Sequence, residues 1–504
     1  MSRPSEAAEY GITLNTTRLA LVAAMCPDQT EAAAIRDWAA RIAGTSPAPP
    51  PLVGSVAFWA SDALSHRRPA WAAVFHAHST RTSVPECGNG ENLLGKYMGE
   101  GVLSLYGTTC NNGSSGLPRG CGYEYADVFP LFDWELIPGT TVPKGVPFPG
   151  CQGACCWVKK VQSRPFVGSA TDGSRVAVAA MDTAIGNLTA RRSFFFFDDA
   201  VVVLVAGAVD STGGPAQTAL AQQWLVEPHV TVGFVNGTVS TLPDGNYSLP
   251  DAAWLHADST GWLPLPEAVS PGTQALPTLS SGLRYGNWDM IGPTNKTASG
   301  RTIVASLQHG PLPQQQLNSS TSSSGAAWGW AALPNITAAD MPHAAATGGL
   351  GVIIAANTPS VQAVANTTGG SASVVFWPPA GSCSNGTLPS GACGGGSVTF
   401  ETLRLHGEPS TDSPLTVNAS CPCLLTLAEN PAAAGTLTVA VSNPDTPGGL
   451  TINVTINRVL TGSPPACVVV GAPGNRTSTT LLFTLPASPV VDMGAAVVQT
   501  CSVV

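Results

Sequence analysis

Charge is what this 504-residue chain has least of. Asp, Glu, Lys and Arg together make up 11% of it, against roughly 25% in a typical soluble domain. With 22 basic and 31 acidic residues the formal charge is −9, which argues against a nucleic-acid partner. Long apolar runs are missing too: no stretch reaches the roughly 18 residues that a membrane-spanning helix needs, so no membrane span is expected. Nor does a secretory leader show, since Met1–Tyr10 is polar and Leu19–Cys26 is a short apolar run inside an amphipathic pattern. Helical periodicity is confined to Thr16–Ala43, where Leu19, Val22 and Ala23 and then Ile35, Trp38, Ala39 and Ile42 form apolar stripes. Pro47–Pro51 ends it as a stiff linker. No internal repeat of fixed period is present.

Small and apolar residues take the place of charge. The chain holds 54 Gly and 43 Pro, and 44% of it is hydrophobic, enough to exclude disorder. From Val53 onward the pattern is short strands punctuated by turns, among them Val56–Trp59, Ala70–His76, Val176–Ala180, Phe194–Phe197 into Ala200–Val205, and Thr302–Leu307. A Gly/Ser-rich stretch, Gly369–Ser397, separates these from further strands such as Cys423–Leu427, Thr436–Val441, Thr451–Val459 and Thr479–Leu485.

Thirteen cysteines and thirteen Asn-X-Ser/Thr sequons, spread from Asn15 to Asn475, point to an oxidised, glycosylated and therefore extracellular protein. Cys151-x3-Cys155-Cys156 lacks a matching second pair and a nearby His, so zinc is a poor reading and no metal or cofactor is expected. The odd count leaves at least one thiol outside any internal pair. A secreted protein without a leader is most simply the C-terminal part of a longer chain. Between His66 and Glu100, Arg67, Arg68, Arg81 and Lys96 with three histidines outnumber three glutamates, which makes this segment either a basic patch for an acidic ligand or an ordinary solvated surface. No nucleophile elbow supports a Ser/His/Asp hydrolase, and nothing singles out a pair of glycosidase carboxylates.

One stretch is more informative. Asn89-Gly90-Glu91-Asn92 is followed by Gly95-Lys96-Tyr97-Met98-Gly99-Glu100-Gly101, Leu103-Ser104-Leu105-Tyr106, Asp127-Val128-Phe129-Pro130-Leu131-Phe132-Asp133 and Ile137-Pro138-Gly139-Thr140-Thr141. In order and spacing these resemble Asn-x-Glu-Asn, Gly-Trp-Tyr-x-x-Asp-Gly, Tyr-Leu-Tyr, Trp-Pro-x-x-Asp and Leu-Pro-Gly-Thr-Thr of polysaccharide lyase family 8, the hyaluronate, chondroitin AC and xanthan lyases. The likeness extends upstream to Asp62, His66-Arg67-Arg68-Pro69 and Ser79-Thr80-Arg81. Downstream it takes in Thr189–Phe195, Gln308-His309-Gly310, Trp328–Pro334 and Asn357–Val364. Lys96 stands where the family has Trp, Glu100 where it has Asp, Phe129 replaces the Trp before Pro130, and Gly150–Lys160 resembles an insertion. These departures bear on specificity more than on fold.

The resemblance implies a mainly β protein, with a large antiparallel β-supersandwich followed by a smaller β-sandwich. The divisions are 1–52 (a helical remnant of an (α/α) toroid, with linker), 53–349 (the central domain) and 350–504 (the C-terminal domain). It implies a lyase that cleaves uronic-acid-containing glycans by β-elimination. A neutralised carboxylate, a base and an acid are needed for that, and in the family they come from the toroid. From the β domain the resemblance assigns catalytic support to Glu91 and Asn89, with Glu91 orienting the catalytic group. It assigns contact with an acidic polysaccharide to Asn92, Arg81, Lys96 and Tyr97. His66, His76, His78 and His309 are tempting replacement bases, but each falls in or beside an expected strand, where a structural role is the better expectation. The competing reading is a secreted, non-catalytic glycan-binding β-sandwich protein.

Overall fold

The computed structural model describes residues 15–45, 53–82, 94–107, 111–112, 118–119, 124–146, 163–292, 295–314, 325–346, 348–379, 395–401, 403, 414–430, 433, 435–445, 450–462, 466–470, 478–486 and 495–503. The N-terminal helical pattern forms two helices, Thr16–Met25 and Gln29–Ile42. Pro27 removes a backbone donor between them. Asp28 then opens the second helix, its carboxylate accepting from the amides of Thr30 and Glu31 at 2.7 and 3.0 Å. The Pro47–Pro51 linker lies outside the described residues. Beyond these helices the described chain is strands and turns apart from single helical turns such as Met341–Ala345, which periodicity had not marked.

A four-stranded antiparallel sheet comes first, in chain order: Gly54–Phe58, Ala63–Arg68, Trp71–His76 and Val102–Gly107. Two larger sheets then face each other. One has nine strands, ordered Val239–Leu242, Val230–Phe234, Ala252–Ala257, Thr260–Pro264, Ala326–Pro334, Val201–Asp210, Leu188–Phe196, Ala177–Ile185 and Val167–Thr171. The other has five: Gly245–Ser248, Leu276–Asn287, Thr297–Pro311, Pro215–Trp224 and Thr141–Pro143. Between them Phe194, Phe196, Val203, Val205, Trp328 and Trp330 meet Leu279, Ile303, Ala305 and Leu307. A second sandwich follows, of seven and five strands, all within residues 352–503.

The run Phe194–Phe197 is apolar at every position because its strand is covered on both faces. Phe194 and Phe196 point into the first core. Phe195, and Phe197 just past the strand end, pack with Val202 and Leu204 against Val364, Val375, Trp377 and Leu424 of the second sandwich. Each such phenylalanine contributes about 1.5–3 kcal/mol by leaving water. Polar ties reinforce this junction. Asn357 donates through Nδ2 to the carbonyls of Val205, Ala268 and Trp328 at 3.2, 3.0 and 3.3 Å. Arg191 donates to those of Pro359 and Pro378 and lies over the Trp377 ring.

Cys467 and Cys501 form a disulfide across 34 residues of sequence in the second sandwich. Closing a loop of that length restricts the unfolded chain by about 4 kcal/mol. Cys501→Ala is therefore expected to lower the unfolding free energy by about that much in urea titrations; an unchanged midpoint would refute the assignment. Of the sequons, Asn366 is buried, its Oδ1 accepting from Thr368 Oγ1 and Gly369 N at 2.8 Å each, so it presents no surface acceptor.

Candidate functional site

Asn89, Glu91 and Asn92 lie outside the described residues. The chain is described up to Thr82 and again from Leu94, and these two stems are held in different ways. On the first, Arg81 donates to the Asp62 carboxylate at 2.6 Å and to the carbonyls of Pro165, Val167 and Pro444 at 3.0, 2.6 and 2.8 Å. Thr82 Oγ1 also donates to Asp62. Substrate contact by Arg81 would compete with these bonds. Arg68 is buried on the Ser174 carbonyl and the Asp198 carboxylate. Arg67 of the same segment is exposed.

The second stem is a turn, Lys96–Gly101, held from beneath by Arg192. This guanidinium is completely buried and donates to the carbonyls of Glu100 at 2.7 Å, Gly101 at 3.1 Å and Gly139. Burial pushes its pKa down to about 10, partly offset by Glu100, so it remains a cation at neutral pH. Gly101 has φ +71°, and a Cβ there would come within 2.6 Å of Arg192 Nη2. Three separate sequence motifs thus meet at one arginine: the Gly95–Gly101 turn, the Ile137–Thr141 loop and the Thr189–Phe195 strand segment. A buried link joins the two stems: His78 Nε2 lies 3.0 Å from Glu100 Oε1, and both residues are 1% exposed. Glu100, read as a departure at an acidic position, is a structural partner of His78.

Above this knot sit Lys96 and Tyr97. Lys96 Nζ lies 5.1 Å from the Tyr97 ring centroid, and its charge also acts on Glu135, whose pKa is nevertheless raised, chiefly by burial and then by Asp133. Tyr97 is 3% exposed in an apolar cluster with Phe129, Trp134, Ile137 and Trp288. Burial, with Glu135 and Glu100, pushes its phenol up to about 12. A phenol at that value can donate a proton at neutral pH but is a poor base. The structure therefore brings Lys96 and Tyr97 together and places Arg81 separately, on the other stem.

The tempting histidines are engaged. His66 bridges Ser55 Oγ at 2.7 Å and the Phe197 carbonyl at 2.9 Å; His309 bridges Thr218 Oγ1 at 2.8 Å and the Gln274 carbonyl at 3.0 Å. His76 meets the Met98 carbonyl at 3.2 Å. Burial pushes both His66 and His309 down to about 3. Unfolded, each takes up a proton as pH falls through 6.5; folded, each stays neutral until about 3. Acid therefore favours the unfolded chain across that window, and the full stability is present above it. Acidifying by about two units below 6.5 is expected to cost on the order of 5 kcal/mol, with the slope flattened by a His66→Gln/His309→Gln double variant. Stability measured by urea titration that holds level from pH 6.5 downward would count against it.

The Arg-held turns sit on two successive antiparallel sandwiches, and this architecture is that of a large β-sandwich followed by a smaller one. The chain belongs to polysaccharide lyase family 8, whose super-sandwich domain matches residues 53–345. A hyaluronate lyase of Thermasporomyces composti is 29% identical over 437 residues, 85% of this chain and 46% of that protein. Chondroitinase-AC of Pedobacter heparinus is 27% identical over 263 residues, 51% of this chain and 33% of that protein. The chain thus spans less than half the length of these relatives. In fold it is similar to the Streptomyces coelicolor A3 chondroitin AC lyase, solved with chondroitin sulphate, with TM-score 0.65 and 22% identity, covering 94% of this chain and 53% of that one. The Paenibacillus xanthan lyase gives 0.68 and 19%, covering 93% and 40%. Among the described residues no helix is long and apolar enough to cross a membrane.

Proposed function

We propose that this chain is the β part, with a short helical remnant, of a polysaccharide lyase that cleaves a uronide polysaccharide by β-elimination. The division is the one expected from the motifs: 1–52, 53–349 and 350–504. The family match over residues 53–345, with its ordered motifs, carries the reading. The acidic substrate is recognised by Lys96 and Tyr97, together with Asn92 and, from the other stem, Arg81. Glu91, supported by Asn89, orients catalytic groups supplied by a helical domain N-terminal to this chain. The protein is secreted, oxidised and glycosylated, in keeping with the Cys467–Cys501 disulfide. The experiment is to join the chain to such a helical domain and follow the ultraviolet absorbance of the unsaturated uronide product. Absence of product from the joined protein on hyaluronan, chondroitin and other uronans would sink the proposal.

One observation favours a second reading, a glycan-binding protein without catalysis. His66, His76, His78, His256 and His309 are committed to structural bonds, and Tyr97 is too weak an acid to be ionised, and so to serve as base, at neutral pH.

A further inference from the structure

The five-stranded sheet presents an unusual outer face. Alternation along its strands sends Leu279, Ile303, Ala305 and Leu307 into the core. Several of the intervening positions are small and polar, and the register sets them side by side: Asn246 opposite Ser280, Ser248 opposite Thr278, and Thr278 opposite Ser306, while Val304 lies opposite Ser280 as an apolar part of the groove floor. Thr278 Oγ1 and Ser306 Oγ lie 2.7 Å apart. Over this ladder runs an open groove of about 530 Å3, bounded on its far side by Asp133 and Leu136. That volume falls within the roughly 300–1,000 Å3 of small-molecule sites.

Arg284 lines the groove and is half-buried. Its guanidinium donates to two neutral oxygens, Ser280 Oγ at 3.1 Å and the Leu131 carbonyl at 3.3 Å. No carboxylate among the described residues comes within ion-pair distance of it, although Asp133 is near enough for its field to be felt. Burial holds its pKa below the usual arginine value. A partly desolvated cation bonded only to neutral acceptors keeps donors for an anion, and a guanidinium suits a carboxylate or sulfate through paired hydrogen bonds. Hydroxyl side chains in a row suit the hydroxyls of a pyranose. Asp133 would repel an anion, but its Oδ1 already accepts from the Glu135 amide at 3.0 Å, and it can accept from sugar hydroxyls.

We propose that this groove is an acidic-saccharide subsite, in which Arg284 receives a carboxylate or sulfate while Ser280 and Thr278, the latter backed by the buried Ser306 hydroxyl, bond ring hydroxyls. It deepens the reading of the chain as part of a uronide lyase and assigns a specificity role to Arg284. Asn246, an exposed sequon residue, forms part of the wall, so a glycan attached there would occupy the same space. The test therefore uses the 504-residue chain made without N-glycans.

Calorimetric titration with a hyaluronan tetrasaccharide, and with its carboxyl-reduced counterpart, reads the site. The acidic probe is expected to bind more tightly than the reduced one. Arg284→Gln should weaken the acidic probe at least about tenfold and leave the reduced probe unchanged, and Arg284→Lys should recover part of the loss. Thermal unfolding of each variant separates this from misfolding. Equal affinity for both probes, or an Arg284→Gln loss matched on the reduced probe, overturns the charge assignment. Binding that Lys96→Ala weakens and Arg284→Gln leaves intact overturns this subsite alone. No binding by the unmodified chain overturns the subsite and counts against substrate recognition by this part of the lyase.

Discussion

Alone, the 504-residue chain is expected to turn over uronide polysaccharides at least about 10⁴-fold more slowly than the same chain joined to a helical catalytic domain. General acid–base catalysis contributes roughly 10²–10⁴, and stabilisation of the developing carboxylate charge roughly another 10²–10³. Neither has an evident source in the described framework: His66 and His309 have both ring nitrogens occupied, His78 is shut in with Glu100, and Tyr97 holds its proton up to about pH 12. Glu91 cannot substitute, because an anion facing an anionic substrate raises the barrier. In the joined protein Glu91→Gln should lower kcat, while Asn335→Gln, on an exposed turn, should not. Robust turnover by the isolated chain would show that the catalytic groups have been placed wrongly.

Removing Arg192 is expected to have a large effect on stability. Arg192→Ala strips three backbone carbonyls of a buried cationic donor and leaves a cavity under the Lys96–Gly101 turn. Hydrogen bonds to charged groups are worth about 1.5–3 kcal/mol each, and losses within one network are not additive, so a total of about 3–5 kcal/mol is expected in urea unfolding. Arg192→Lys keeps the charge but cannot present the planar fork that reaches separate carbonyls, and should recover less than half of the loss. Gly101→Ala meets the same guanidinium from the other side and adds left-handed strain at φ +71°. A cost below about 1 kcal/mol for Arg192→Ala would show that the knot does not hold the turn.

The sequence revealed the framework better than the site. The change of periodicity at Val53 marks where strands begin, and the Phe194–Phe197 run marks a strand buried on both faces. The helical pattern over Thr16–Ala43, with its two apolar stripes, forms two helices because Pro27 and the Asp28 cap part them. The long paired strands Leu276–Asn287 and Thr297–Pro311 were only partly visible, since Ser, Thr and Gly on their outer face blur the alternation. Around the candidate site, the motif drew attention to Lys96 and Tyr97 but not to their neighbour Glu135 or to the His78–Glu100 link. Nothing local ties residues 22 positions apart. Arg192 could have been found as a charge inside an otherwise apolar strand, a placement that demands buried acceptors.

The two sandwiches are tied by arginine and asparagine side chains that end on peptide oxygens: Arg81 on Pro444, Arg191 on Pro359 and Pro378, and Asn357 on Val205, Ala268 and Trp328. Every residue offers the same carbonyl, so on the accepting side such a seam reads the path of the chain and not the identity of its side chains. Substitutions at the accepting positions can accumulate without loosening the seam while the turns keep their shape. One inserted residue in the turn at Pro359 or Pro444 shifts the oxygens out of reach and opens it.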